Sequence, residues 1–310
     1  MKVRFDDIDI NTKLAPAEAI DIRSASQLMD RTLANRNRGS NGIALPWSKL
    51  AGLCALRPGE VVLLGGYSGH FKSTISAQMA YHALRAGNKV GIASLELPAE
   101  YVIEQMSEFA SGRSDAPEQW MRKFGEWCDN KLHVYDVVDS ITPDQAVQMI
   151  IAMAEIFHCK LIVLDALMML GASADNATEQ AFTQTLASLA KRYNVTLLLI
   201  HHVRKPQGAE GEMTPPGKYD FIGSSHITNI ASTIIIVWHD KKKHYEKSSG
   251  YDVDDSKPDM LFSVVKQRFF SFEGTVGLWQ HGRTRAFCDS IHRKINITEE
   301  VSTRGTIMGS

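Results

Sequence analysis

An α/β fold with a largely parallel sheet is predicted by three features of this 310-residue sequence. Short apolar runs recur along most of the chain, helical patterns alternate with them, and the runs are apolar at consecutive positions. A strand apolar at every position buries both faces, as happens when helices cover a sheet on either side. Strand–helix alternation supplies those helices. The runs are VVLLGG (61–66), KVGIASLE (89–96), KLHVYDV (131–137), KLIVLDAL (160–167), VTLLLIHH (195–202), STIIIVWHD (232–240) and DMLFSVVKQR (259–268).

Residues 1–41 stand apart as an N-terminal arm. Within 15–37, Ile22, Ala25, Leu28, Met29 and Leu33 fall on one face of a predicted helix, which the polar run NRNRGSNG ends. An amphipathic helix with no partner of its own must dock elsewhere, on this chain or on a neighbour. From about Gly42 the alternation begins, with helices expected at 73–86, 99–112, 142–157 and 176–193. The third opens on Thr142-Pro143-Asp144-Gln145, a capping box with proline at the first helical position. No helical pattern separates the last two runs, so the far side of the sheet is expected to be antiparallel. The stretches 206–220 and 241–258 read as long flexible loops. Lys241-Lys242-Lys243 reads as solvated loop, and Trp238 and Trp279 as core.

Composition narrows the function classes. Lys plus Arg (34) balances Asp plus Glu (35) at a net charge of −1. A global electrostatic attraction to nucleic acid is thereby excluded, and a polyanion partner must be held by local patches or by a ring that pools them. With 44% hydrophobic residues and 10 prolines the chain can bury a proper core, which excludes wholesale disorder. The longest apolar runs, STIIIVW and TLLLI, fall short of the roughly 20 residues a membrane span needs. The N-terminus MKVRFDDIDI carries acids where a signal peptide needs an apolar stretch. Cys54, Cys128, Cys159 and Cys288 are scattered without a CxxC pair, which excludes a disulfide scaffold or a cysteine-built zinc site. The expectation is a soluble cytoplasmic protein.

The strongest chemical signal is GGYSGHFKST, between the strand VVLL and a predicted helix. Against G-x-x-x-x-G-K-[ST] it supplies Gly66, Gly69, Lys72 and Ser73, within a stretch that includes Ser68, His70 and Thr74. Backbone N–H groups and the helix start would cradle phosphates, Lys72 would reach the β/γ oxygens, and Ser73 would bind Mg²⁺. Phe71 stands where the pattern wants glycine. If that position needs φ > 0, phenylalanine costs about 1–3 kcal/mol of strain. Asp165 ends KLIVLD, where a strand-terminal carboxylate can hold Mg²⁺ or cap a turn. Glu96 ends GIASLE, where a carboxylate can orient attacking water or simply face solvent. His202 closes VTLLLIHH at the carboxyl end of a strand, where open α/β sheets bind ligands. His201 points to the opposite face and reads as a satisfied core or surface histidine. Lys266 and Arg268 share a strand face, which suits an anion such as a neighbouring subunit's γ-phosphate, or a solvated strand end.

Taken together, these segments resemble the RecA-like motor domain of DnaB-type replicative hexameric helicases, in particular the helicase half of phage primase–helicases and the mitochondrial replicative helicase. The resemblance covers about residues 42–290. It is carried, in matching order and spacing, by GIALPWSKLAGLCALRPGEVVLLGG, GHFKST, ASLELPAEYVIEQM, LIVLDALMML, LAKRYNVTLLLIHHVRKP, GSSHITNIAS and KQRFFSFEGTVGL. It implies a RecA-like P-loop ATPase with Glu96 as catalytic carboxylate, Asp165 as the Mg²⁺-holding acid and His202 as phosphate sensor. Arg268 would be an arginine finger given in trans, with Lys266 beside it. Arg204 and Lys205 match the start of a DNA-contacting loop, and Gly223-Ser224-Ser225 a further loop of the central channel. ATP and Mg²⁺ are the implied ligands. Single-stranded DNA, a homo-hexameric ring and a primase or polymerase are the implied partners, in a bacterial or phage-infected cell. Two departures stand out: Phe71 in the phosphate loop, and the start of the resemblance without a primase or helical collar, so that residues 15–37 resemble only the linker helix that grips a neighbour. The implied organisation is an arm over 1–41, a motor over 42–290 and a tail over 291–310. Two further readings stay open: a recombinase-like or switch-type ATPase without unwinding, and a nucleotide-binding loader or regulator without turnover.

Overall fold

The computed structural model describes residues 3–14, 22–37, 42–137, 139–170, 176–206, 211–223 and 225–295. Part of the expected linker helix (15–21) and most of the expected tail (296–310) lie outside the described residues. In chain order these form α1 (Ile10–Leu14), α2 (Ala25–Asn37), β1 (Ile43–Ala44), β2 (Ala55–Leu56), β3 (Val61–Gly66), α3 (Lys72–Arg85), β4 (Val90–Ser94), α4 (Ala99–Ser111), α5 (Glu118–Cys128) and β5 (Leu132–Tyr135). They continue with α6 (Pro143–Ile151, extended as a π-turn to Ile156), β6 (Leu161–Asp165), α7 (Asn176–Tyr193), β7 (Thr196–His202), α8 (Ser225–Ile230), β8 (Thr233–His239), α9 (Lys241–Ser248), β9 (Met260–Gln267), β10 (Gly274–Gln280) and β11 (Phe287–Cys288).

Among the described residues, one sheet has the order β11-β10-β9-β8-β3-β7-β6-β4-β5. The strands from β8 to β5 run parallel, and β9, β10 and β11 extend the sheet antiparallel. Both features match the expected α/β class. The unbroken apolar runs divide between two cores by residue parity. Val62, Leu64, Ile92, Val163 and Leu198 pack with α3, α4 and α5, while Val61, Leu63, Ala93, Ile162 and Leu197 pack with α6, α7 and α8. The predicted capping box is present: Thr142 Oγ1 accepts from the Gln145 N–H at 3.2 Å, and Gln145 Oε1 accepts from the Thr142 N–H at 2.9 Å.

The stretch 241–258 is not simply a loop, because α9 occupies its first half. Asp240 caps it, its Oδ1 accepting from the Lys243 N–H at 2.9 Å. Nor is the lysine run uniformly solvated: Lys243 is buried and pairs with Asp259 at 2.7 Å. Within 206–220, Gly211–Met213 form a 3₁₀ turn. Helix α5 escapes the sequence reading although Trp120, Phe124 and Cys128 recur every fourth residue and are all buried. Trp279 is core, whereas Trp238 is half-buried, its indole donating to the Glu212 carbonyl at 2.8 Å.

In the arm, residues 3–14 dock on α6. Gln148 Nε2 donates to the carbonyls of Phe5 and Ile8 at 3.0 and 3.1 Å, and Lys13 pairs with Glu155 at 2.6 Å. The stripe beyond it does not dock: Ile22, Leu28, Met29 and Leu33 are 87%, 42%, 50% and 45% exposed. Among the described residues no helix is long and apolar enough to cross a membrane.

Candidate functional site

Strand order alone gathers the chemistry. β4, β6, β7 and β3 are neighbours and parallel, so their carboxyl ends lie side by side. Gly66 is in register with His202, and Ser94 with Asp165. Glu96 follows two residues past the end of β4. Ligands of open α/β sheets bind at this edge.

The phosphate loop spans Gly66 to Phe71 and opens into α3. Its φ values explain its residues. Gly69 sits at φ +74°, and Phe71 at φ 60°, ψ 26°, so the position that the pattern gives to glycine does adopt a left-handed backbone. The phenylalanine carries that strain with its ring packed edge-on against His239 (4.8 Å between centroids) and Phe287 (5.4 Å). A Cβ on Gly66 would come within 2.6 Å of the Val237 carbonyl and 3.4 Å of the Lys72 side chain. Only glycine lets β3 and β8 approach this closely.

Lys72 is buried, and its Nζ donates to the Tyr67 carbonyl at 2.9 Å and lies 3.4 Å from His202 Nδ1. Burial lowers its pKa, against the pull of Asp165 and Glu96. His202 Nε2 is 3.5 Å from Glu96 Oε1. The imidazole thus faces the ammonium with Nδ1 and the carboxylate with Nε2. The hydrogen bond from His202 holds Glu96 below the ordinary carboxylate range. Asp165 is buried, and burial pushes it up to about 6 despite its hydrogen bond with Ser73 and the nearby Lys72. Lys72, Ser73, Asp165, Glu96 and His202 thus form one contiguous set.

Other predicted residues sit differently. The side chains of His70 and Phe71 turn inward: His70 is fully buried, its Nδ1 accepting from the His239 N–H at 3.0 Å. Burial depresses both His70 and His239 to about 4. Thr74 turns its hydroxyl to Gln105, accepting from its amide at 3.0 Å. Any contact of these three loop residues with phosphate therefore falls to the backbone. His201 is core, buried and bonded through Nε2 to the Ile222 carbonyl at 2.7 Å.

Lys266 and Arg268 do not join the site of their own chain. A register shift near Ile234 bulges β9, and Arg268 lies one residue past its end. Both cations nonetheless converge on the carboxyl end of α8, Lys266 donating to the carbonyls of Thr228 (2.7 Å) and Asn229 (3.2 Å), Arg268 to that of Asn229 (2.7 Å). Gln267 is level with Thr233, and Thr233 with Val62, four residues before Gly66. At about 3.3 Å per residue, the pair is roughly 13 Å along the sheet from its own phosphate loop.

The two predicted DNA-contacting segments meet. Val203 bridges Phe221, the Ile222 N–H donates to the His202 carbonyl at 3.1 Å, and Arg204 Nη2 approaches the Gly223 carbonyl at 3.4 Å. Ser225 begins α8, and Ser224 lies outside the described residues. Lys205 is held by Glu212 at 3.0 Å. The sequence gives that glutamate no role and Lys241 only that of a solvated loop lysine, because both fall in stretches that read as loop. Asp240 as a cap ahead of three lysines is the signal that would have found α9.

The residues present fit ATP and Mg²⁺. Buried Lys72 brings an ammonium to the end of the loop, and the Ser73 hydroxyl beside the Asp165 carboxylate offers a divalent ion two oxygen donors. Mg²⁺ usually takes one or two protein carboxylates together with phosphate oxygens and water. Accordingly, no group of three or more His, Cys, Asp or Glu forms a cage among the described residues.

Comparisons with known proteins agree with this fold. The family model described as "AAA domain" matches residues 50–208, a span holding Lys72, Glu96, Asp165 and His202 but not Arg268. Among solved structures, an ATPase domain aligns with TM-score 0.70 at 14% identity, over 87% of this chain and 100% of that one. A DnaB-like replicative helicase, whose structure was described together with its interactions with primase, aligns with TM-score 0.65 at 14% identity, over 90% of this chain and 70% of that one. No curated protein matches. A family match that spans half the chain, on a sheet that superposes on these two structures, makes the protein a member of the AAA domain family with a RecA-like fold of the DnaB type.

Proposed function

We propose that this chain is an ATP-hydrolysing motor that assembles into a ring, translocates on single-stranded DNA and unwinds duplex during replication. One observation carries the reading. Lys72, Ser73, Glu96, Asp165 and His202 gather at one edge of the sheet, while Lys266 and Arg268 stand together near the other edge. A site whose cations are out of reach in its own chain is completed by a neighbour, and a ring does this for every subunit.

In this reading residues 42–290 are the motor, and residues 15–37, whose Ile22, Leu28, Met29 and Leu33 are exposed, grip the next subunit. Loop backbone and Lys72 hold the triphosphate of ATP, while Ser73 and Asp165 hold Mg²⁺, which would neutralise phosphate charge. Glu96, kept ionised by His202, accepts the proton of the attacking water. His202 touches both Lys72 and Glu96, so it can report the state of the phosphate site to Arg204, two residues on. Arg204, Lys205 and the 223–225 segment contact DNA, six copies pooling cations that one near-neutral chain lacks. A primase or polymerase is the expected partner, in the cytoplasm.

The test is ATP hydrolysis with and without single-stranded DNA, paired with mass measurement of the assembly. DNA-stimulated turnover in a hexamer is expected, and Glu96→Gln should bind nucleotide yet not turn it over. A monomer that binds ATP without turnover would replace this reading with that of a regulator.

A further inference from the structure

Outside the predicted site, one cation lies on the phosphate loop itself. Lys241, the first residue of α9, donates to the Ser68 carbonyl at 3.3 Å and to Glu212 Oε2 at 2.7 Å. Its Nζ is 3.7 Å from where a Cβ on Gly69 would stand. The helix that presents it is anchored, because Lys243 is buried on Asp259 and Asp240 caps the first turn. Its neighbour Lys242 instead points away, 3.9 Å from Glu246. Glu212 is the counter-anion: it also takes Lys205 at 3.0 Å, and its Oε2 lies 3.6 Å from the buried His70. These lysines hold Glu212 down to about 2, so it stays ionised at any working pH. The loop thus carries an ammonium at each end, Lys72 at its helix end and Lys241 on the Ser68 carbonyl.

We propose that Lys241 is a second phosphate-binding cation of this loop, acting within its own subunit, and that Glu212 occupies it until the polyphosphate of a nucleotide takes its place. The proposal rests on the reading of residues 66–74 as the nucleotide phosphate site. It explains why a loop whose glycine is replaced by Phe71 gains a lysine from outside the pattern, and why Glu212 meets both Lys241 and the DNA-loop residue Lys205.

The experiment is calorimetric titration of the full chain with ATP in Mg²⁺, with ADP and with tripolyphosphate alone, in the parent and in Lys72→Ala, Lys241→Met, Glu212→Gln, Lys241→Met/Glu212→Gln and Lys242→Met. Loss of one charge-assisted contact should weaken ATP and tripolyphosphate on the order of tenfold in Lys241→Met, and ADP less. Lys242→Met, on the same helix, should match the parent. Glu212→Gln should tighten tripolyphosphate severalfold when Lys241 is present and not when it is methionine, the signature of two residues acting through one contact. Thermal melts of each variant separate lost binding from lost folding. If Lys72→Ala weakens ATP and Lys241→Met does not, the proposal falls and the phosphate-loop reading stands. If Lys72→Ala also leaves affinity unchanged, the phosphate-loop reading falls and takes the proposal with it.

Discussion

Asp165 shows how a functional carboxylate is held at a cost. It is buried, and its pKa rises from 3.8 to about 6, so between those values the folded chain binds a proton that the unfolded chain has lost. Stability contributed by this group therefore falls as pH rises through that window. Above it the ionised form costs about 3 kcal/mol, at 1.36 kcal/mol per unit. Asp165→Asn should raise the melting temperature at pH 7.5 without Mg²⁺ by several degrees, and the gap should close near pH 4. Adding Mg²⁺ with nucleotide should stabilise the parent and not the variant. Comparing the two chains at each pH cancels the opposite trend of His70 and His239, which at about 4 withdraw stability as pH falls below 6.5. A less stable Asp165→Asn at pH 7.5 would mean that the carboxylate is already satisfied by Ser73 and Lys72.

The turn from β3 into α3 has a conflict between backbone and side chain. Phe71 holds φ 60°, which costs a non-glycine residue about 1–2 kcal/mol, yet its half-buried ring packs on His239 and Phe287. Removing a buried phenylalanine ring costs about 3–5 kcal/mol, and a half-buried one less, so packing outweighs strain. Phe71→Gly should thus lose about 1–2 kcal/mol. Phe71→Ala should lose more, because alanine gives up the ring and keeps the backbone penalty. Urea melts of the three chains check the order parent, glycine, alanine. An alanine variant as stable as the glycine variant would show that the left-handed backbone relaxes once the ring is gone.

For the whole molecule, the decisive feature is the separation of Lys266 and Arg268 from the phosphate loop of their own chain. In the ring reading, Arg268→Ala should lower turnover by roughly 10³–10⁵, as arginine fingers do, with ATP affinity nearly unchanged. Lysine should rescue poorly, lacking the planar fork. Because the residue would serve a neighbour, titrating Arg268→Ala subunits into the parent should depress activity more steeply than dilution alone. A strictly proportional fall would place its action within one subunit and remove the main support for a ring.

Much of this was legible in the sequence because it depends on local pattern. Unbroken apolar runs call for a sheet covered on both faces, Thr142-Pro143-Asp144-Gln145 for a helix start, and the match of GGYSGHFKST to G-x-x-x-x-G-K-[ST], short of one glycine, for a phosphate loop between strand and helix. Glu96, Asp165 and His202 were legible as strand-terminal polar residues, but their meeting depends on the order β4-β6-β7-β3, which pairing across distant segments decides. Tertiary structure alone decided that Phe71 survives a glycine position, since its ring partners are His239 and Phe287, far along the chain. It alone decided that Lys241 rests on the loop at the Ser68 carbonyl while pairing with Glu212. Sequence periodicity reports which faces are apolar. Which distant charges share one carboxylate follows only from where the folded backbone sets them.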